Sequence, residues 1–281
     1  MPASSDAPSS VDAPPAAIAL VISDVDGTLV TSDKRLTPAT RAAVRRLTAA
    51  GIGFTIASSR PPVGLRSLVA ELGLTLPMGA FNGSTLVAPD LTILSETLIP
   101  AEAAQDAARR FAAAGLDTWV FAHGAWNLTN PHGPYTDLER RTLRTEPNVV
   151  ADLVPLLDHA AKIVGVSADA AHLEACETEI AKALAGRADV HRSQAYYLDV
   201  TPPGSGKAAF VEAMSRHLGL DPARIATLGD AGNDVPMFRR SGFSVAMGNA
   251  SPSVQAAASA VTATNDADGF AKAIADFILP C

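Results

Sequence analysis

The chain has 281 residues, 48% of them hydrophobic, and carries a formal net charge of −7. That length allows one large domain or two ordinary ones, and the acidic balance, with few aromatics and no basic–aromatic interleaving, speaks against a nucleic-acid partner. Cys176 and Cys281 lie far apart without metal-ligand spacing, so neither a disulfide framework nor a zinc site is expected and a reducing cytoplasm is the default compartment.

Residues 1–16 are rich in Ala, Ser and Pro and lack a basic leader region; a disordered tail is expected there, not a signal peptide. No run of about 18 uncharged apolar residues occurs, so no membrane-spanning helix is expected. The first ordered element is an apolar run over 17–22, which reads as a buried strand. It leads into Asp24-Val25-Asp26-Gly27-Thr28-Leu29. A strand cannot easily bury two neighbouring carboxylates, so their place is just past its C-terminal end, where open α/β sheets bind ligands. Two carboxylates held so close repel each other. A hard cation such as Mg²⁺, which favours one or two carboxylates plus phosphate oxygens, relieves that repulsion.

Thr37-Pro38 has the form of a helix start, with Thr37 as N-cap and Pro38 in the first helical position. Ala42, Val44, Leu47 and Ala50 give an apolar face and Gly51 ends the helix. A second strand over 53–57 runs into Ser58-Ser59-Arg60-Pro61, where a hydroxyl and adjacent N–H groups suit a phosphate. A helix over 63–72 and a strand over 78–81, ending in Asn82-Gly83, complete a βαβαβ pattern, the mark of a doubly wound parallel sheet.

The rhythm then changes. Over 84–200 the pattern predicts hairpins around Pro89-Asp90 and His123-Gly124, helices over 101–114, 135–144 and 170–184, and further strands over 162–167, 190–192 and 196–200. This reads as a separate α+β unit inserted into the first. From Gly206 the α/β rhythm returns: a helix from Lys207, a strand over 224–228 ending in Gly229-Asp230-Ala231-Gly232-Asn233-Asp234, a strand over 243–247 ending in Gly248-Asn249, and closing helices. The expected organisation is therefore a tail (1–16), a core (17–83 and 201–281) and an insertion (84–200).

Asp24, Asp26, Ser58, Asp230, Asn233 and Asp234 all fall at strand ends, with Lys207 opening a helix beside them. Acidic clusters are costly without a cation, and a lone lysine among them is placed to meet a phosphate. The set resembles the haloacid dehalogenase superfamily, and within it the Cof-type phosphatases with a type IIB cap. Asp24-Val25-Asp26-Gly27-Thr28-Leu29 fits D-x-D-G-T-L. Ser58 stands where a Ser or Thr ends the second strand, ahead of Arg60. Lys207 stands at the lysine motif after the cap, and Gly229 to Asp234 fits G-D-x-x-N-D. Two departures are visible: Ser58-Ser59 replaces the usual Thr-Gly, and Ala208 replaces a Gly after the lysine. Gly204-Ser205-Gly206-Lys207 also resembles the end of a P-loop, but Thr201 and Ala208 stand where that motif needs Gly and Ser/Thr.

The resemblance implies a Rossmann-like core with an inserted α+β cap. It implies a Mg²⁺-dependent phosphatase acting on small phosphorylated metabolites, sugar phosphates foremost, through an aspartyl-phosphate. Asp24 is then the nucleophile and Asp26 the general acid and base. Asp24, Asp26 (through its main-chain carbonyl) and Asp230 hold the metal. Ser58, Lys207 and Asn233 bind the phosphate, and Asp234 supports metal-bound water or pairs with Lys207. A phosphomannomutase-like phosphotransferase and a non-enzymatic phosphate- or metal-binding regulator are the alternatives. No membrane partner is expected, and the chain is expected to be a monomer or homodimer. Asn82 and Asn249 are further strand-end candidates; His123, Trp126, Arg141 and Arg144 are candidates in the cap.

Overall fold

The structure is a computed structural model and describes residues 17–279; the expected N-terminal tail and Cys281 lie outside the described residues. The first segment comprises β1 (Leu20–Ser23), α1 (Pro38–Ala49), β2 (Gly53–Ile56), α2 (Arg66–Leu72) and β3 (Met78–Ala80). The middle comprises β4 (Thr85–Val87), β5 (Ile93–Glu96), α3 (Ala101–Ala113), β6 (Asp117–Ala122), β7 (Ala125–Leu128), α4 (Thr136–Leu143), β8 (Asn148–Val149), β9 (Ala160–Val166), α5 (Ala170–Leu184), β10 (Asp189–Gln194) and β11 (Tyr197–Thr201). The last segment comprises α6 (Lys207–Leu218), β12 (Ile225–Gly229), α7 (Val235–Phe238), β13 (Phe243–Ala246), α8 (Pro252–Gln255), β14 (Ala260–Val261) and α9 (Gly269–Ala273).

A parallel sheet runs in the order β14-β13-β12-β1-β2. Strand β1, flanked by β12 and β2, is buried on both faces, so its sequence is largely apolar. Leu20 and Ile22 pack with Phe210, Val211 and Met214 of α6 and with Met237 and Phe238 of α7. Val21 packs on the opposite side with Ala43, Val44 and Leu47 of α1 and Phe270 and Ala273 of α9. This is the doubly wound α/β architecture that the sequence rhythm predicts. Register pairs Ser23 with both Ile56 and Leu228, and Gly229 with Ala246, so the segments leaving β1, β2, β12 and β13 emerge along one edge.

A second sheet has the order β10-β11-β9-β6-β7-β8, antiparallel except for the β7–β8 pair. Helices α3 and α5 cover one face through Ala103, Ala107, Phe111, Leu173 and Ile180. The other face carries Trp119, Phe121, Trp126, Val164 and Tyr197 and packs with Phe81 and Leu143. His123 and Gly124, both at positive φ, form the two-residue turn between β6 and β7, the geometry favoured by right-handed strand twist. Helix α4 approaches the core closely: a Cβ on Gly64 would lie 2.8 Å from Leu143.

Strand β3 departs from the expected pattern. It touches the parallel sheet through one bridge, Ala57–Gly79, and otherwise pairs antiparallel with β4, which pairs with β5. The expected boundary at residue 84 therefore cuts through a three-stranded meander. Gly83, at φ +101°, turns the chain back so that β4 satisfies the main-chain groups of β3. The hairpin that the sequence pattern assigns to the insertion thus continues the core strands.

Helix α1 begins as its sequence signature predicts. Thr37 accepts a hydrogen bond from the Thr40 N–H at 3.0 Å, and its own hydroxyl donates to Asp268 at 2.7 Å. The residue therefore both caps α1 and ties it to the start of α9. Thr37→Ala is expected to lower unfolding free energy by about 1–2 kcal/mol in urea titration, the range for a lost N-cap.

Candidate active site

Main-chain pairing carries β1 one residue past its end, where the Asp24 N–H donates to Leu228 O at 2.9 Å. This fixes the Asp24 carboxylate at the edge where β12 also ends. Lys207, the first residue of α6, reaches the same point. Its ammonium lies 2.5 Å from Asp24 Oδ1 and 2.6 Å from Asp234 Oδ1, and the residue is only 2% exposed. A cation at a helix N-terminus opposes the helix dipole; here two carboxylates outweigh that cost. They raise the Lys207 pKa against the opposing effect of burial, which is the largest single influence on it.

Asp234 also organises its own loop. Its Oδ2 accepts the N–H groups of Asp230 and Ala231, each at 2.9 Å. Asp230 in turn accepts from the Thr28 hydroxyl at 2.9 Å and from the Asn249 amide at 3.3 Å. Gly27, at φ +88°, is required where it stands, since a Cβ there would lie 2.3 Å from the Asp230 carboxylate. Asp24, Asp230 and Asp234 can each turn one oxygen into a group spanning no more than 4.8 Å. Burial pushes the Asp24 pKa well above its ordinary value. Lys207 opposes this, and repulsion from Asp234 and Asp230 adds to it. Burial, then repulsion from Asp234, raises Asp230 to about 6. Three carboxylates thus face one ammonium. This all-oxygen donor set with unrelieved negative charge fits a hard divalent cation.

The Asp26 carboxylate is held differently. Arg60 grips it with two hydrogen bonds of 2.8 Å, and the Lys34 ammonium lies 2.9 Å away. These cations overcome the effect of burial and hold Asp26 well below the usual carboxylate range. Ser58 is fully buried at the end of β2; its hydroxyl accepts the Arg60 N–H at 3.2 Å. The Asn233 side-chain amide donates to Asn82 Oδ1 at 3.1 Å, and Asn82 Nδ2 lies 3.0 Å from His191 Nε2 on β10. The structure therefore brings Asp24, Lys207, Asp230 and Asp234 into direct contact or near contact. Asp26, Ser58 and Asn233 lie along the same edge, bonded to neighbours of their own.

A cleft opens between the two sheets beside Asp26, Lys34 and Arg60. Trp119, Lys162, Tyr196, Tyr197 and Glu139 form its opposite wall. Lys162 on β9 lies 2.5 Å from the buried Asp199 on β11, and it donates to Ser59 O at 3.3 Å. Neither Asp199 oxygen has a donor aligned for hydrogen bonding, so this pair acts by proximity of charge. Glu139 accepts from the Tyr197 hydroxyl at 3.1 Å, and burial raises it from 4.5 to about 6. None of His123, Trp126, Arg141 and Arg144 lines this cleft. His123, at the hairpin tip, lies tilted against His159, and Trp126 is buried against Trp119. Sequence reasoning missed Lys34, Glu139, Lys162 and His191. Glu139 sits in the charged run Glu139-Arg140-Arg141, which reads as a solvated helix face, and no local signal marks the others.

A family profile described as haloacid dehalogenase-like hydrolase matches residues 21–274. The chain belongs to this family. It is an enzyme, a hydrolase of phosphate monoesters. Among its relatives, the HMP-PP phosphatase of Cronobacter sakazakii is 29% identical over 235 residues, covering 83% of this chain and 85% of that one. The 5-amino-6-(5-phospho-D-ribitylamino)uracil phosphatase YitU of Bacillus subtilis is 26% identical over 277 residues, covering 92% and 97%. A solved haloacid dehalogenase-like hydrolase from Bacteroides thetaiotaomicron superposes with a TM-score of 0.81 at 29% identity, covering 92% of this chain and 98% of that one. Among the described residues no helix of this hydrolase is long and apolar enough to cross a membrane.

Two outcomes follow for this haloacid dehalogenase-like hydrolase. Lys207→Met leaves buried carboxylates without their cation and is expected to lower unfolding free energy by about 3–5 kcal/mol in urea titration, with partial recovery on acidification. For Glu139, the folded state holds its proton more tightly than the unfolded state. Between pH 4.5 and about 6 the folded state binds more protons, so stability falls as pH rises. Melting temperatures across that window are expected to decline more in the wild type than in Glu139→Gln.

Proposed function

We propose that the protein is a Mg²⁺-dependent phosphatase of small phosphorylated metabolites, sugar phosphates among them, working through an aspartyl-phosphate. The observation that carries this reading is the buried Asp24 carboxylate at the end of β1, gripped by Lys207 and facing Asp230 and Asp234. The names of the phosphatase relatives and their coverage of nearly the whole chain support it.

In this reading an oxygen of Asp24 attacks phosphorus. The bond to the leaving-group oxygen breaks, and the phosphoryl group is carried on Asp24. Lys207 neutralises charge on the phosphoryl oxygens and keeps the Asp24 carboxylate pointed at them. Ser58 and Asn233, at the adjoining strand ends, donate to the remaining phosphoryl oxygens. Asp26 protonates the departing alkoxide and later takes a proton from the attacking water. Its grip by Arg60 and Lys34 favours the ionised form required for the second role. An arriving phosphate dianion pushes the other way, towards the protonated form required for the first. Asp24, Asp230 and the main-chain carbonyl of Asp26 would hold the metal. When bound, Mg²⁺ offsets the repulsion between anionic nucleophile and anionic ester. Asp234, engaged by Lys207 and two main-chain N–H groups, positions the lysine and the Asp230 loop. The cytoplasm, where such metabolites are made, is the compartment that fits this work.

The test is release of inorganic phosphate from an aryl phosphate and a panel of sugar phosphates, with Mg²⁺ and with chelator. Release is expected only with Mg²⁺, and Asp24→Asn is expected to lower turnover by about 10⁴-fold or more. Turnover that survives chelation, or that survives in Asp24→Asn, would sink the proposal.

A further inference from the structure

Asn82, just past β3, joins three parts of the molecule. Its main chain lies in the left-handed region, at φ +61° and ψ 18°, which Asn adopts more readily than most residues with a Cβ. There its N–H donates to Ser58 O at 2.7 Å. The residue is buried, and both polar atoms of its side chain have partners. Oδ1 accepts from the Asn233 amide at 3.1 Å, and Nδ2 lies 3.0 Å from Nε2 of His191, which β10 brings from the inserted sheet. The segment has little room to shift. Gly83 beside it packs tightly on α6, where a Cβ would lie 2.7 Å from Phe210 Cβ.

An imidazole and two amides in series have two self-consistent settings. In one, His191 Nε2 is an acceptor, Asn82 donates to it and Asn233 donates to Asn82. In the other, Nε2 carries a hydrogen and both amides are turned over, so that Asn233 sets its oxygen against Asn82. The two settings give opposite polarity at the Asn233 atom next to Asn82. It is either a nitrogen with a second hydrogen to give or an oxygen with lone pairs only. An anion is served by the first, and the amide atoms are disposed as in the first. Burial favours it as well, since it lowers the His191 pKa; Lys162 and Lys207 act in the same direction, while Asp199 and Asp189 oppose it.

We propose that His191 is a positioning residue for phosphate binding. Its Nε2 lone pair fixes the Asn82 amide, and Asn82 fixes the Asn233 amide with its second N–H free for a phosphoryl oxygen. The proposal rests on the phosphatase reading for Asn233 as a phosphate donor. His191, Asn82 and Asn233 line, with Lys207, a cavity of about 610 Å³. None of these four lines the cleft beside Asp26, where the leaving group departs. His191 therefore acts on the phosphoryl group that all substrates share and not on the choice between them.

The test compares the full chain with His191→Leu, which removes the acceptor, and His191→Gln, whose terminal oxygen can take its place. Binding of inorganic phosphate is followed by phosphorus NMR titration with Mg²⁺. KM and kcat are measured on two esters with unlike leaving groups, an aryl phosphate and a hexose phosphate. His191→Leu is expected to weaken phosphate binding about fivefold or more and to raise KM by a similar factor on both esters, the range for a lost hydrogen bond, with kcat changed less than about threefold. His191→Gln is expected to bring both back to within about twofold of the unchanged chain. In an Asn233→Ala background, where no amide is left to position, His191→Leu is expected to add less than about twofold. Should His191→Leu fail to fold, His191→Phe carries the same expectations. Several results overturn the proposal: no phosphate binding by the unchanged chain, binding unaltered in His191→Leu, His191→Gln no better than His191→Leu, effects that multiply fully with Asn233→Ala, or a KM change on one ester only. Failure of the phosphatase reading shows itself separately, as absence of phosphate release from either ester by the unchanged chain, and the phosphate titration then still decides the role of His191.

Discussion

Lys207 places its ammonium between Asp24 and Asp234, and the geometry of the site depends on that contact. It joins the end of β1, the loop after β12 and the start of α6, segments remote in sequence. Replacing a buried ion pair by apolar groups is often neutral for stability, whereas removing one partner is not. The value of this arrangement therefore lies in placement. With Lys207 fixed, Asp234 can hold the Asp230 loop through its second oxygen, and Asp230 comes within reach of Thr28. The glycines follow from the same crowding. Side chains at Gly27 and Gly229 would collide with the Asp230 and Asp234 carboxylates respectively.

The second sheet completes the site from the other side. It meets the core through apolar packing, Phe121 on Phe81 and Leu143 on Gly64, and through polar contacts at two places. Lys162 reaches Ser59 O, and His191 reaches Asn82. Each polar contact lies next to a strand-end segment of the core, so the position of the inserted sheet is coupled to the loops carrying Ser58 and Asn233. Around the cleft left between them, Lys34 and Arg60 share Asp26, Lys162 pairs with Asp199, and Glu139 accepts from the Tyr197 hydroxyl.

Short-range features of this protein were readable from the chain. The D-x-D-G-T-L and G-D-x-x-N-D segments mark two strand ends, because apolar runs stop there and carboxylates begin. The α1 start was readable because Thr37-Pro38 is a local signal, and the His123-Gly124 hairpin because its turn needs two residues at positive φ. The meander was not. Alternating residues predict the β4–β5 hairpin, but nothing local says that β4 pairs back on β3. The cap candidates went astray for a related reason. His123, Trp126, Arg141 and Arg144 stand out by residue type, while a wall is chosen by the direction in which strands and helices present their side chains. Glu139, in a run of charges, and Lys162, inside an apolar strand, carry no such mark.

Sequence by itself determined the doubly wound α/β class, the haloacid dehalogenase-like family and the segments that carry the carboxylates and the lysine. Strand period, turn chemistry and motif spacing are properties of the chain itself, legible without knowing how it packs. Tertiary structure alone decided which charges are paired. Arg60 and Lys34 close on Asp26, Lys162 on Asp199 and Lys207 on two aspartates, while Glu139 rests on the Tyr197 hydroxyl. Charge pairing depends on distance and on exclusion of water, and both arise only when segments far apart in the chain are packed together.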